Sequence, residues 1–328
     1  MSNPTVTKSK EKSALSMGIM IQRFSPVFIL LALITFMSFA ADAFFQVANF
    51  INIIRQIAIL GVVAMGMTLV ILTAGIDLSV GSLMAISAGV MGVAATEWGV
   101  TPVLSVALGL LVGAALGVTN GIIITKGKIQ PFIATLGMMV AARGLVLLLT
   151  GGLAVRGIPE AMLTVGSRFV GTTRIPQSAI VFSAVAIVGF VLLVKTTLGR
   201  NIMAVGGNAE ASRTSGIRVD RTKIIVYGIC GFFCAIAGFL YMGRVNSVPP
   251  LMAQGMELQA ITAVALGGTS LAGGNGSIVG TVIGVLTIGV LNNGLNLMDV
   301  SAAWQQVILG FMIIVVVILD SWRRRRFD

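Results

Sequence analysis

Ten apolar runs separated by very little charge decide the environment of this chain before any motif is considered. They cover Pro26–Ala41, Ile51–Thr73, Val80–Ala95, Pro102–Thr125 and Ile129–Thr150, then Ser178–Val194, Ile224–Gly243, Leu258–Leu271, Ile278–Leu295 and Trp304–Leu319. Of 328 residues, 56% are hydrophobic and 10% charged, a balance that ordinary soluble domains do not reach. A straight helical span needs roughly 20 apolar residues. Several runs are shorter, and these adjoin Gly-rich polar turns, the pattern of discontinuous helices held inside a bundle. The expected fold is all-α: a polytopic membrane protein with about ten transmembrane segments, some discontinuous, and an internal repeat. The transmembrane body is expected over residues 26–320, between a segment at 1–25 and a basic tail at 321–328. No convincing small-residue cleavage site follows the first long run, which is therefore expected to remain as a span.

The stretch Gly75-Ile76-Asp77-Leu78-Ser79-Val80-Gly81 is wedged between two of these runs with almost no loop on either side. In an uninterrupted helix Asp77 would face hydrocarbon, so the sequence implies a broken helix with a buried polar turn. Such breaks usually mark a transport path. A second region has the same texture: an apolar half from Ile261, a polar break at Gly267-Gly268-Thr269 and Gly273-Gly274-Asn275-Gly276-Ser277, and an apolar half from Ile278. Paired breaks point to a duplicated transporter core. Gly109, Gly113 and Gly117 recur every four positions, and close helix packing is their expected role.

The formal charge of +11 suggests nucleic acid only until its distribution is read. Lys8, Lys10, Lys12 and Arg23 precede the first run, Lys126 and Lys128 sit in a tight turn, six bases lie between Lys195 and Lys223, and Arg323–Arg326 close the chain. With ten spans these groups fall on one side, and the positive-inside rule places both termini and the Lys195–Lys223 loop in the cytoplasm. The terminal arginines are expected to anchor the last span on membrane lipid. On the opposite side, the Gly151–Gln177 loop lacks a clear hydrophobic core and reads as a surface cap at most. Arg143 falls inside a span, roughly 21 Å beyond Ile129 at 1.5 Å per residue. It either snorkels to the headgroups or contacts the pathway.

Within the Lys195–Lys223 segment, Asn208 is placed to cap a short helix through Ala209–Ser215, with Glu210 at its positive end, Arg213 further along and Gly216 suited to ending it. Two turns of helix are marginal alone in water and need a surface to pack on, either the rest of this chain or a cytoplasmic subunit. No GxxxxGK[ST] sequence occurs, so any use of ATP belongs to another chain. The absence of histidine removes the common zinc arrangements and histidine acid catalysis. No metal site and no cofactor are expected on the chain. Cys230 and Cys234 stand four apart in an apolar run, where helix packing is expected rather than a disulfide.

Ala64-Met65-Gly66-Met67-Thr68-Leu69-Val70-Ile71-Leu72-Thr73, followed by Gly75-Ile76-Asp77-Leu78-Ser79-Val80-Gly81-Ser82, resembles the signature of ribose-type permeases of bacterial ABC sugar importers, within the branched-chain amino acid/ribose/xylose permease superfamily. Gln130-Pro131-Phe132-Ile133-Ala134-Thr135-Leu136-Gly137, Ala204-Val205-Gly206-Gly207-Asn208, Ala265–Gly274 and Leu291-Asn292-Asn293-Gly294-Leu295-Asn296 resemble the same family. The resemblance runs from about Asn49 to the last span and is weakest over Gly151–Gln177. It implies a second permease subunit (identical or paralogous), a periplasmic sugar-binding protein, and a cytoplasmic ATP-binding subunit that consumes the ATP. It also implies a multi-pass location in the bacterial inner membrane. The helix at Glu210–Ser215 would then be the coupling helix, carried by Asn208, Glu210, Arg213 and Gly216. Candidates for the sugar path or for holding the helix breaks are Thr68, Asp77, Ser79, Gln130, Asn292, Asn293 and Asn296, with Asp77 leaning toward capping the following half-helix. The reading is the permease subunit of a binding-protein-dependent ABC importer for a monosaccharide or related polyol, not itself an enzyme. The alternative is an ion-coupled secondary sugar transporter, which would need no ATPase and gives no reason for an exposed helix at Asn208–Gly216.

Overall fold

A computed structural model of the protein describes residues 25–325. Apart from Ser25, the expected segment at 1–25 lies outside the described residues, with Lys8, Lys10, Lys12 and Arg23, and so do Arg326–Asp328 of the basic tail.

Every apolar run becomes a helix. With α6, α8 and α9, which lie outside those runs, the helices in chain order are α1 (Ser25–Ala40), α2 (Val47–Leu72), α3 (Val80–Thr96), α4 (Pro102–Lys126), α5 (Pro131–Thr150), α6 (Glu160–Ser167), α7 (Gln177–Lys195), α8 (Thr197–Gly207), α9 (Ala209–Thr214), α10 (Val219–Val245), α11 (Met256–Leu266), α12 (Ile278–Leu297) and α13 (Ala302–Arg325). Local chemistry sets the ends. Pro102 and Pro131 open α4 and α5 from the first turn, where their missing N–H is no loss. The Ser277 hydroxyl accepts the Gly280 N–H to cap α12. Among the described residues seven helices are long and apolar enough to cross a membrane, while α1, α3 and α11 are shorter. At 1.5 Å per residue α3 and α11 reach about 26 and 17 Å, less than a hydrocarbon core of about 30 Å. Each of these two follows directly on a non-helical stretch, 73–79 before α3 and 246–255 before α11.

Helix directions alternate, so Lys126, Lys195, α8 and α9 gather at one end of the bundle, termed here the basic end. The central pair is α2 and α10, which are more buried than the outer spans. Against α10 pack α4, α2 and α3; against α2 pack α12, α7 and α11. Outward faces of α4, α5, α7 and α13 carry exposed apolar side chains such as Leu111, Leu148, Ile187 and Phe311, as a hydrocarbon solvent requires. The glycine row of α4 is a packing stripe: a Cβ at Gly113 would lie 2.6 Å from Gly231 O, and one at Gly117 would overlap Tyr227 O. Cys230 and Cys234 are both buried and free.

The two Gly-rich breaks are not equivalent positions of a repeat. Both lie at the basic end and touch: Gly274 N–H donates to Leu72 O at 3.0 Å. The packing network pairs the halves differently. As α3 packs on α4, α5 and α10, so α11 packs on α12, α13 and α2. Exchanging α2 with α10, α3 with α11, α4 with α12 and α5 with α13 thus reproduces the neighbours, and each exchanged helix runs the opposite way. The counterpart of the α2–α3 break is therefore the non-helical segment 246–255 between α10 and α11. Texture alone misassigned it because 246–255 is not glycine-rich.

Two further expectations change. Most of Lys195–Lys223 is helical, in α8, α9 and the start of α10. The Gly151–Gln177 segment is more than a surface cap, because Ile158 and Met162 are buried in the core and Gly166 packs 2.7 Å, measured to an added Cβ, from the Gly243 Cα on α10. Hydropathy does not reveal such a backbone contact. The α4 stripe yields a direct test. Gly117→Val is expected to lower stability by at least the about 1–3 kcal/mol of an overpacked core, whereas Gly137→Ala, whose Cβ meets nothing within 4 Å, is expected to be neutral. Thermal unfolding in detergent measures both.

Candidate functional site

The first break is built around Asp77, which is fully buried. The Ser79 N–H and hydroxyl donate to Asp77 Oδ1 at 2.8 and 2.5 Å, and Asn120 Nδ2 donates to Ser79 Oγ at 2.9 Å. On the other side, Leu78 N–H donates to the Thr135 hydroxyl at 3.1 Å, which in turn lies 3.2 Å from Ile76 O. These bonds take up the turn's own Leu78 and Ser79 N–H groups and Ile76 O. Ser79 is the N-cap of α3 and no side chain accepts from that helix's first N–H groups, so Asp77 closes the turn rather than capping the following half-helix as the sequence suggests. Thr68 is also enclosed, bonded to Ala64 O and to Thr281 of α12, each at 2.7 Å. Asn293 Nδ2 donates to Asn49 Oδ1 at 2.7 Å, while Asn49 Nδ2 donates to Phe44 O at 2.9 Å. Gln130 is exposed immediately before α5.

Asn292 and Asn296 stand apart from these. They line a cavity of about 350 Å³ together with Gln56, Gln259, Gln305 and Arg244, at the lower end of the roughly 300–1,000 Å³ of small-molecule sites. The walls come from the first half of α2, the last turns of α10 and α12 and the first turns of α11 and α13, so the cavity lies in the half of the bundle away from the basic end. Within it Gln305 Nε2 donates to Asn296 Oδ1 at 2.8 Å, and Asn292 Nδ2 reaches Gln259 Oε1 at 3.4 Å. Gln56 Oε1 has no hydrogen-bond partner, as is also true of the buried Asp77 Oδ2, Asn120 Oδ1 and Asn293 Oδ1. Amides present both donors and acceptors, Ile57, Leu60 and Met256 supply apolar wall, and no carboxylate lines the space. This arrangement can hold a neutral polyhydroxylated solute. Among the described residues no group of three or more His, Cys, Asp or Glu is placed to hold a metal ion.

The sequence candidates thus separate: Asn292 and Asn296 face the cavity, whereas Thr68, Asp77, Ser79 and Asn293 bond within the helix packing. Gln56, Gln259 and Gln305 were missed, although the same signal marked them, an amide inside an apolar run. At the basic end, Asn208 Oδ1 accepts the Glu210 and Ala211 N–H groups at 3.0 and 2.9 Å and caps α9. Gly216 at φ +84 closes the helix, with Ile217 N–H donating to Ser212 O at 2.9 Å. Arg213 pairs with Asp220 at 3.2 Å, and Glu210 is exposed.

Residues 49–317 match the family described as "Branched-chain amino acid transport system / permease component". The chain is 44% identical to the ribose import permease protein RbsC of Bacillus subtilis (strain 168), over 92% of this chain and 94% of that protein. It is 44% identical to RbsC of Escherichia coli (strain K12), over 89% and 91%, and 38% identical to the fructose import permease protein FrcC of Rhizobium meliloti, over 91% and 85%. No solved structure matches. The chain belongs to this family of permease components and is a multi-pass membrane protein.

The Asp77 turn carries its own test. Asp77→Leu leaves the Ser79 N–H buried without an acceptor and is expected to lower stability by about 1–3 kcal/mol. Asp77→Asn, which keeps an oxygen at Oδ1, is expected to lose less. Detergent melting of the two variants against the unaltered protein measures the difference.

Proposed function

We propose that the chain is the permease subunit of a binding-protein-dependent, ATP-driven importer of ribose-class monosaccharides, and that the amide-lined cavity lies on the sugar's path. The observation that carries this reading is the composition of that cavity: Gln56, Gln259, Asn292, Asn296 and Gln305 with no carboxylate. An amino acid brings an ammonium group that would find no anionic partner there, whereas sugar hydroxyls exchange donors and acceptors with amides. Relatives named as ribose and fructose import permeases support the same choice. Weak, distributed hydrogen bonds also suit passage better than one tight site.

Lys126, Lys128, Lys195, Arg200, Arg213, Arg218, Arg221 and Lys223 gather at the basic end, which by the positive-inside rule faces the cytoplasm. The cavity then belongs to the periplasmic half of an inner-membrane protein, where a periplasmic binding protein delivers the sugar. The transmembrane body covers 26–320, and both termini are cytoplasmic. A second permease subunit, identical or paralogous, completes the pore. The ATP-binding subunit docks on α9 through Glu210 and Arg213, with Asn208 and Gly216 fixing the helix ends. From there a backbone joint leads inward: a Cβ at Gly206, the next-to-last residue of α8, would overlap Leu72 O and lie 2.5 Å from Gly274 N. With no side chain between them, displacement of α8–α9 moves both Gly-rich breaks at once.

The experiment is ATP hydrolysis and uptake in proteoliposomes holding this chain, its ATPase and a binding protein, against a panel of sugars. One loaded binding protein is expected to stimulate hydrolysis at least several-fold. Glu210→Arg is expected to lose the ATPase from the purified complex. Gly206→Ala is expected to keep it bound while abolishing the stimulation. Uptake that needs no ATPase would instead support the ion-coupled carrier.

A further inference from the structure

Arg143 sits on α5, about 18 Å from the helix start at 1.5 Å per residue, and it does not line the cavity. Its Nη1 donates to Pro250 O and to Met252 O, each at 2.9 Å. These carbonyls belong to the non-helical segment 246–255, where Ala253 and Gly255 both hold positive φ. Non-helical backbone at membrane depth persists only where protein satisfies its polar groups. The segment also leans on the first break: a Cβ at Gly81 would overlap Ala253 O and lie 2.8 Å from Glu257 Oε2. Glu257 Oε1 accepts the Gly255 N–H at 3.2 Å, and its charge lies within electrostatic reach of Arg143. Directly after this tethered segment come Met256 and Gln259, which line the amide cavity.

We propose that Arg143 is a positioning residue for sugar transfer: by holding the Pro250 and Met252 carbonyls it sets where α11 begins and so where Gln259 stands in the cavity wall. The proposal rests on the sugar-importer reading for its consequence, but not for its geometry. One guanidinium nitrogen, Nη1, carries both donors, one for each carbonyl; a lysine ammonium has donors enough but sits on a shorter stem, so it replaces the pair only in part. Without Arg143, the Pro250 and Met252 carbonyls lose their donor, and the chain leading into α11 loses its tether to α5.

Two measurements on the full reconstituted complex test this. In a background with Cys230 and Cys234 replaced by alanine, Gln259→Cys is labelled with a water-soluble thiol reagent. Adding Arg143→Met is expected to change the labelling rate at least threefold, and Arg143→Lys to change it less. With Gln259 intact, Arg143→Met is expected to lower the sugar moved per ATP hydrolysed at least tenfold, while hydrolysis stimulated by the loaded binding protein is kept. Arg143→Lys is expected to recover part of that ratio. An unchanged labelling rate overturns the proposal, and so does a parallel fall of hydrolysis and uptake, which a purely structural role would produce. If the unaltered complex moves no sugar, the importer reading fails and the labelling alone decides the geometry.

Discussion

Hydrocarbon offers no hydrogen bonds, and that single constraint organises this molecule. Wherever its helices stop short of a full span, neighbouring groups must replace water. At the α2–α3 break the replacements are Asp77, Ser79, Asn120 and Thr135. At the basic end, the Gly274 N–H meets the Leu72 carbonyl. Between α10 and α11 Arg143 bonds two carbonyls of the non-helical segment. Each interruption is a polar island whose partners come from another helix, so the breaks hold the bundle together as much as they interrupt it.

The arrangement divides the polar groups of the interior into two kinds. One kind bonds within the protein, as Thr68 does with Thr281 and Asn293 with Asn49. The other kind, on Gln56, Gln259, Asn292 and Asn296, faces an open volume. A transporter needs both, because a rigid frame around a weakly binding path lets a solute enter and leave. The central helices α2 and α10 link the two ends. They wall the cavity in one half, while in the other the end of α2 meets α8 and the second break.

The number and placement of the apolar helices were legible because hydropathy reports an apolar environment directly: ten apolar runs became ten helices within a few residues at most ends. The capped helix at Asn208 was legible because its signals are local. The repeat register was not, since 246–255 carries its interruption in Asn246, two prolines and a tethering arginine on another helix rather than in glycines. The face of α12 was equally hidden. Asn292 and Asn293 are adjacent in sequence, but a helix turns about 100° per residue, so one enters the cavity and the other packs against Asn49. Sequence shows that an amide lies in an apolar run, and only packing shows which side it serves.

The most direct test of the account is a cryo-electron microscopy structure of the reconstituted complex trapped with its sugar during turnover. Sugar density is expected in the space between Gln56, Gln259 and Asn292, with the Asp77–Ser79–Asn120 network intact and closed. Sugar bonded to Asp77, with that network opened to admit it, would contradict the division between frame and path.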